Sequence, residues 1–211
     1  MCVERLTAYR SARPAHHAVT GVLTAGIYSD GMDQLFAPWR IEWVERDGDD
    51  EFEECVFCEL PDREPEREYY LLARGQRAYV VLNNYPYNPG HAMVIPREHT
   101  DEYTDLDAET LVAKERLVQR TMTAMDEALA PDGYNVGYNL GGSAAGGSID
   151  DHLHAHIVPR WEGDTNFMPA LSETKVIVEA VLDTYDRLHE AFADQDGASA
   201  AAADAAVVIE E

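Results

Sequence analysis

The stretch DDHLHAHIVPRW, residues 150–161, sets His152, His154 and His156 at every second position and closes the run with Pro159. Side chains alternate faces along a β-strand, so these three imidazoles share one face, spaced about 6.6 Å per two-residue step. Leu153, Ala155 and Ile157 take the opposite face and point to a core. The stretch therefore predicts a half-buried strand carrying its polar groups on an open face. Two chemistries suit such a row. One is a metal site, since imidazole is the commonest metal ligand. The other is nucleophilic catalysis by one ring whose neighbours fix its tautomer. No carboxylate stands beside the histidines on their face, and Asp150 and Asp151, which precede them, serve equally as turn residues. As a whole the row fits nucleophilic chemistry better.

Around this strand the pattern is α+β. Further strands are predicted at 69–74 (YYLLAR), 78–83 (AYVVLN), 91–96 (HAMVIP) and 134–140 (YNVGYNL), with the histidine strand itself at 153–159. NNYPYNPG joins two of them as a turn. Residues 107–129 carry Leu111, Leu117, Val118, Met122 and Met125 at helical spacing, with Asp105 or Asp107 as N-cap. Residues 172–192 repeat the pattern with Val176, Ala180, Val181, Tyr185 and Leu188, and Ser172 as N-cap. The expected fold is one antiparallel sheet with a long helix between its strands and another helix after it.

Composition narrows the functional classes. The chain of 211 residues carries a formal charge of −24, with 40 acidic side chains against 16 basic ones, and Lys114 and Lys175 are its only lysines. Such a surface repels nucleic acid and anionic membrane, both of which require a basic face. No apolar run reaches the roughly 18 residues of a membrane span. Acidic, lysine-poor proteins work where high salt screens their self-repulsion, so a halophilic cytoplasmic protein is expected. Residues 1–31 differ from the rest: their balance is +1, against −25 over the remaining 180. They are read as a poorly ordered extension ahead of the domain, with Met32 as an alternative start. Residues 193–211, acidic and alanine-rich, are read as a mobile tail, which leaves 32–192 as the domain. Three cysteines are too few for a disulfide scaffold, and Cys55 and Cys58 in ECVFCEL read as a metal or redox pair.

The loop NLGGSAAGGSIDD, residues 139–151, leads directly into the histidine row. Glycines let backbone N–H groups approach an anion closely, and Ser143 and Ser148 add hydroxyl donors. A glycine-rich loop alone is a weak signal. Joined to three histidines, it points to phosphate-ester chemistry.

HLHAHIVPR resembles the motif of the histidine-triad superfamily of nucleotidyl hydrolases and transferases. LFAPWRIEWV, YPYNPGHAMVIP, NVGYNLGGSAAGGSIDD and GDTNFMP extend the likeness across residues 32–192, most closely to the branch that contains diadenosine tetraphosphate phosphorylases. The resemblance implies a five-stranded antiparallel sheet and a homodimer. It implies that His154 attacks the α-phosphorus of a nucleotide and that His156 positions the phosphate or leaving group. Asn83 would hold the ribose hydroxyls, and Asn139, Gly146 and Ser148 would cradle phosphate. Many hydrolases of the family have glutamine where Ser148 stands, which favours the phosphorylase branch. Cys55, Cys58, His99 and His152 match a structural zinc site, one per chain, with no organic cofactor. A redox dithiol and two plain reduced cysteines are the competing readings of the CxxC pair. His91 either lines the site or serves the fold, and Arg160 either reaches a phosphate or pairs with an acid.

The function implied is cleavage of dinucleoside polyphosphates through a nucleotidyl-histidine, with inorganic phosphate as acceptor. With water as acceptor the same intermediate makes a nucleotide hydrolase or nucleoside phosphoramidase. A nucleotide-binding regulatory protein is the alternative of another class.

Overall fold

In the computed structural model the described residues are 52, 54–141, 144–145, 149–164 and 180–210. They begin with a short helix α1 (Val56–Glu59), followed by strands β1 (Leu71–Arg74), β2 (Ala78–Leu82) and β3 (Ala92–Pro96). The long helix α2 (Ala108–Leu129), strands β4 (Gly133–Gly137) and β5 (Ala155–Arg160), helix α3 (Val181–Ala193) and strands β6 (Ala198–Ser199) and β7 (Val207–Ile209) complete the order. The sheet runs β4-β5-β3-β2-β1-β7-β6. Its first five strands pair antiparallel throughout, which is the sheet expected from the sequence.

The last two strands correct the expectation of a mobile tail. β7 adds to β1 in parallel and β6 pairs with β7, and Ala206, Val207 and Ile209 are buried. Alternation of Val207 and Ile209 toward the core outweighs the low complexity of the preceding alanines. Backbone N–H groups of Arg67 and Ala206 complete the join, donating to the Asp204 carbonyl and the Glu66 carboxylate at 3.2 and 2.5 Å.

α2 starts where the sequence placed it. The Asp107 carboxylate accepts the Thr110 N–H at 2.6 Å and satisfies one of the unpaired donors of the first turn. α3 begins later than the sequence pattern suggested. Ala180, in extended conformation, precedes its first turn and offers no side-chain cap, while Ser172 lies outside the described residues.

The sheet is covered on both faces where the histidines lie. On one side Leu117, Val118 and Met125 of α2 and Tyr185, Leu188 and Phe192 of α3 pack against Val80, Val94, Ala155 and Ile157. On the other, Phe57 and Leu60 pack over Leu71, Tyr79, Val81 and Ile95. Tyr79 donates its hydroxyl to the Phe57 carbonyl at 2.6 Å, which ties α1 to β2. Burying a side chain like Phe57 contributes about 1.5–3 kcal/mol, so this second layer has its own drive to form. Gly90 turns the chain into β3 at φ +81, a left-handed conformation that glycine adopts without strain, and a Cβ there would collide with Leu129.

Candidate active site and metal centre

β5 begins at Ala155, so only His156 of the three triad histidines lies within a paired strand. His152 and His154 continue the extended course just before it, and the Leu153 N–H donates to the Thr100 carbonyl at 2.6 Å. Leu153, Ala155 and Ile157 are buried, as alternation predicts. The opposite face is not open, however. His152 is 2% exposed and His154 8%, because Phe57 lies against both rings at centroid distances of 5.7 and 5.1 Å.

His154 is held in one tautomer. Its Nδ1 lies 2.8 Å from the His152 carbonyl oxygen. A carbonyl only accepts, so Nδ1 carries the proton and Nε2 keeps its lone pair. Burial lowers the pKa of His154 against the smaller opposing effect of that hydrogen bond, which keeps the ring neutral. A neutral imidazole with a free Nε2 is the nucleophilic form.

A second chain of hydrogen bonds fixes His156. The Tyr87 N–H donates to His91 Nδ1 at 3.1 Å, and His91 Nε2 lies 2.9 Å from His156 Nδ1. The backbone donor sets the order: His91 accepts at Nδ1 and so donates from Nε2, His156 accepts at Nδ1, and His156 Nε2 carries its ring's proton. Asn139 Nδ2 sits 3.3 Å from that Nε2. Both atoms are then donors, and an Asn139 amide turned by half a rotation would offer its oxygen to the ring. The Tyr87 ring stacks on His91 at 4.8 Å. His91 therefore belongs to the site. Its position directly after the turn at Gly90, opening a strand, was the signal for it. Tyr87 and Phe57 had no signal beyond being aromatic.

The remaining sequence candidates divide. Asn83 follows β2 and its N–H donates to the His91 carbonyl at 2.8 Å, which places it at the same end of the sheet. Its Oδ1 accepts from the Tyr85 N–H at 2.8 Å and its Nδ2 lies 3.6 Å from the Met93 sulfur, so it also shapes the turn. Gly146 and Ser148 lie outside the described residues. Arg160 pairs with an acid: Nε and Nη2 reach Asp164 at 2.6 and 2.7 Å, and Nη1 reaches Asn135 at 2.7 Å. That fork holds the Asp164 carboxyl well below the usual carboxylate range. Asn88 donates to both Asp164 and the Pro159 carbonyl at 2.9 Å, fastening the loop before β3 to the end of β5.

Cys55, Cys58, His99 and His152 converge, with one ligand atom from each within 4.8 Å of the others. Cys55 Sγ and Cys58 Sγ lie 3.3 and 3.6 Å from His152 Nδ1, and Cys58 Sγ lies 3.2 Å from His99 Nδ1. Bonds of about 2.0–2.3 Å to a common centre separate tetrahedral ligands by distances of this size. The donor chemistry fits too. His152 Nε2 donates to the Pro96 carbonyl at 2.9 Å, which leaves Nδ1 unprotonated and aimed at the sulfurs. Burial and the neighbouring Cys55 push the Cys58 thiol up to about 11, so Cys58 resists ionising unless a cation takes it. The four residues fit a closed Cys2His2 metal site.

Comparison with known proteins accords with this geometry. The profile of the family described as HIT domain matches residues 64–163. A Mycobacterium tuberculosis protein named AP-4-A phosphorylase is 40% identical over 164 residues, which cover 74% of this chain and 82% of that one. The adenosine 5'-monophosphoramidase of Schizosaccharomyces pombe is 31% identical over 106 residues, 50% of this chain and 74% of that one. Among solved structures, a Zn-bound histidine triad family protein from Mycobacterium smegmatis superposes with a TM-score of 0.54 at 28% identity, covering 66% of this chain and 94% of its own.

Proposed function

The chain belongs to the HIT domain family, and from that footing we propose that it cleaves dinucleoside polyphosphates by phosphorolysis through a nucleotidyl-histidine. The observation that carries the reading is the locked tautomer of His154, whose Nδ1–H donates to the His152 carbonyl and whose Nε2 is left as the nucleophile. In the first step Nε2 bonds to the α-phosphorus of diadenosine tetraphosphate, and the bond from that phosphorus to the bridging oxygen breaks. ATP leaves with the electron pair. The ring becomes positively charged while adenylylated, and the carbonyl that accepts Nδ1–H stabilises that charge. Inorganic phosphate then attacks the same phosphorus, ADP leaves, and His154 is restored. His156 presents Nε2–H beside Asn139, where it holds and stabilises phosphate oxygens. Asn83 holds the ribose, and Gly146 and Ser148 complete the phosphate cradle.

Cys55, Cys58, His99 and His152 hold one structural zinc per chain. When bound, it fixes the backbone of the histidine strand. The protein works as a homodimer in a high-salt cytosol. The outer edge of β4 and the exposed Val112, Val136 and Leu140 supply an apolar face for the second copy. The monophosphoramidase relative favours the runner-up, in which water replaces phosphate as acceptor.

Phosphorus NMR of diadenosine tetraphosphate with the protein in high potassium chloride, with and without inorganic phosphate, tests this. ADP and ATP formed only with phosphate support phosphorolysis, whereas AMP and ATP formed regardless of phosphate make water the acceptor. Salt dependence gives a further expected result. Substrate and protein are both strongly anionic, the chain carrying −24. Shortening the Debye length from about 10 Å at 0.1 M to about 3 Å at 1 M should lower KM several-fold. A KM that rises with salt would mean that attraction by local cations outweighs the net charge.

A further inference from the structure

Lys114 lies outside the chemistry described so far. Its side chain is fully buried on α2, although the chain has only two lysines and meets its other needs for fixed cations with arginine. Burying an ammonium group is costly unless it is paired and hydrogen-bonded. Lys114 Nζ meets the Glu115 carboxylate and the Tyr138 hydroxyl. It lies 4.7 Å from the Tyr138 ring centroid and 5.6 Å from that of Tyr103. The Tyr138 hydroxyl donates to the same Glu115 carboxylate at 2.9 Å, and Tyr103 packs edge-on against Tyr138 at 5.2 Å. Two rings and one carboxylate enclose a compact point charge, a space that suits an ammonium better than a planar guanidinium fork.

The place of this cluster matters. Tyr138 is the first residue after β4 and directly precedes Asn139, the residue that meets His156. The glycine-rich loop departs from the same point. We infer that Lys114 is a positioning residue for the reaction proposed above: it clamps Tyr138 at the end of β4 and so fixes where Asn139 meets His156. Lys114 reaches the reacting groups only through Tyr138 and Asn139. The inference rests on the reading of His154 and His156 as the reacting pair, but part of its test does not.

Lys114→Met keeps an unbranched side chain one atom shorter and removes its charge, while Tyr138→Phe removes only the hydroxyl. Both are made in the full chain and compared with wild type in high potassium chloride by thermal midpoint, ring nitrogen NMR of the histidines, and kcat and KM for diadenosine tetraphosphate. The expected result is a moved His156 signal with that of His152 unchanged, and kcat about ten-fold lower at similar KM. Lys114→Met should add little to Asn139→Ala, because both act at one contact. A lowered midpoint with an unmoved His156 signal and unchanged kcat would overturn the inference, as would effects of Lys114→Met and Asn139→Ala that multiply. If Lys114→Met does not fold, Tyr138→Phe decides by the same criteria. Should the wild type not cleave the substrate, the proposed reaction fails, and the His156 signal alone still decides the clamp.

Discussion

Replacing His154 by alanine is expected to lower turnover of diadenosine tetraphosphate by about 10⁴-fold or more, since removing a covalent nucleophile removes the route rather than one contact along it. Nucleotide affinity should stay within a few-fold of wild type, because the proposed ribose and phosphate contacts come from Asn83, Asn139 and the glycine-rich loop. Steady-state rates and equilibrium dialysis against a non-cleavable analogue separate the two effects. The structural basis is specific. His154 is the triad member with a backbone acceptor at Nδ1 and an unprotonated Nε2, whereas His156 sits within a hydrogen-bonded chain that begins at Tyr87. His156→Ala should therefore lower turnover less than His154→Ala. A wild-type protein that binds nucleotides and turns none over would favour the regulatory reading. A His154→Ala variant retaining more than about 1% of wild-type turnover would show that the covalent route is not the one used.

Removing the metal is the second large effect. Elemental analysis of the purified protein should find the proposed one zinc per chain, and chelation or Cys58→Ser should remove it and lower the thermal midpoint by about 10 °C or more, given several kcal/mol of binding energy and about 2–4 °C per kcal/mol for a chain of this size. Turnover should fall with it, through kcat more than KM. His152 links the two sites: its ring joins the cysteines, while its carbonyl oxygen is the acceptor that sets the His154 tautomer. Loosening the ring loosens that carbonyl. Zinc restored after chelation should restore both midpoint and rate. A protein purified from zinc-replete cells without metal, or indifferent to chelators, would return Cys55 and Cys58 to the reading of two reduced thiols.

Much of this was legible in the sequence where a local pattern carried the information. Runs of β-branched and aromatic residues bounded by Gly, Pro or Asn located β1 to β4, alternation located β5, and helical spacing with Asp107 located α2. The CxxC pair, His99 and His152 were assembled by resemblance, and the fold brings all four together. What failed to show was non-local. His154 lies 97 residues from Phe57 in sequence, and nothing in HLHAHIVPR reveals that a second layer covers the histidine face. β7 was missed because three strand residues behind an alanine-rich run are too few to show a period, and the free edge of β1 decides their fate. Arg160 was ambiguous until Asp164 and Asn135 were found at its guanidinium. Lys114 carries no distinguishing sign in the sequence beyond being one of two lysines, and only packing against Tyr103 and Tyr138 sets it apart.

The measurement closest to the central claim is the stereochemical course at the α-phosphorus. It uses a substrate made chiral there by sulfur and follows the configuration of the nucleotide released to phosphate or to labelled water. Two displacements, onto His154 and off it, predict retention with either acceptor. Inversion would mean that the acceptor attacks the substrate directly, and it would contradict the nucleotidyl-histidine.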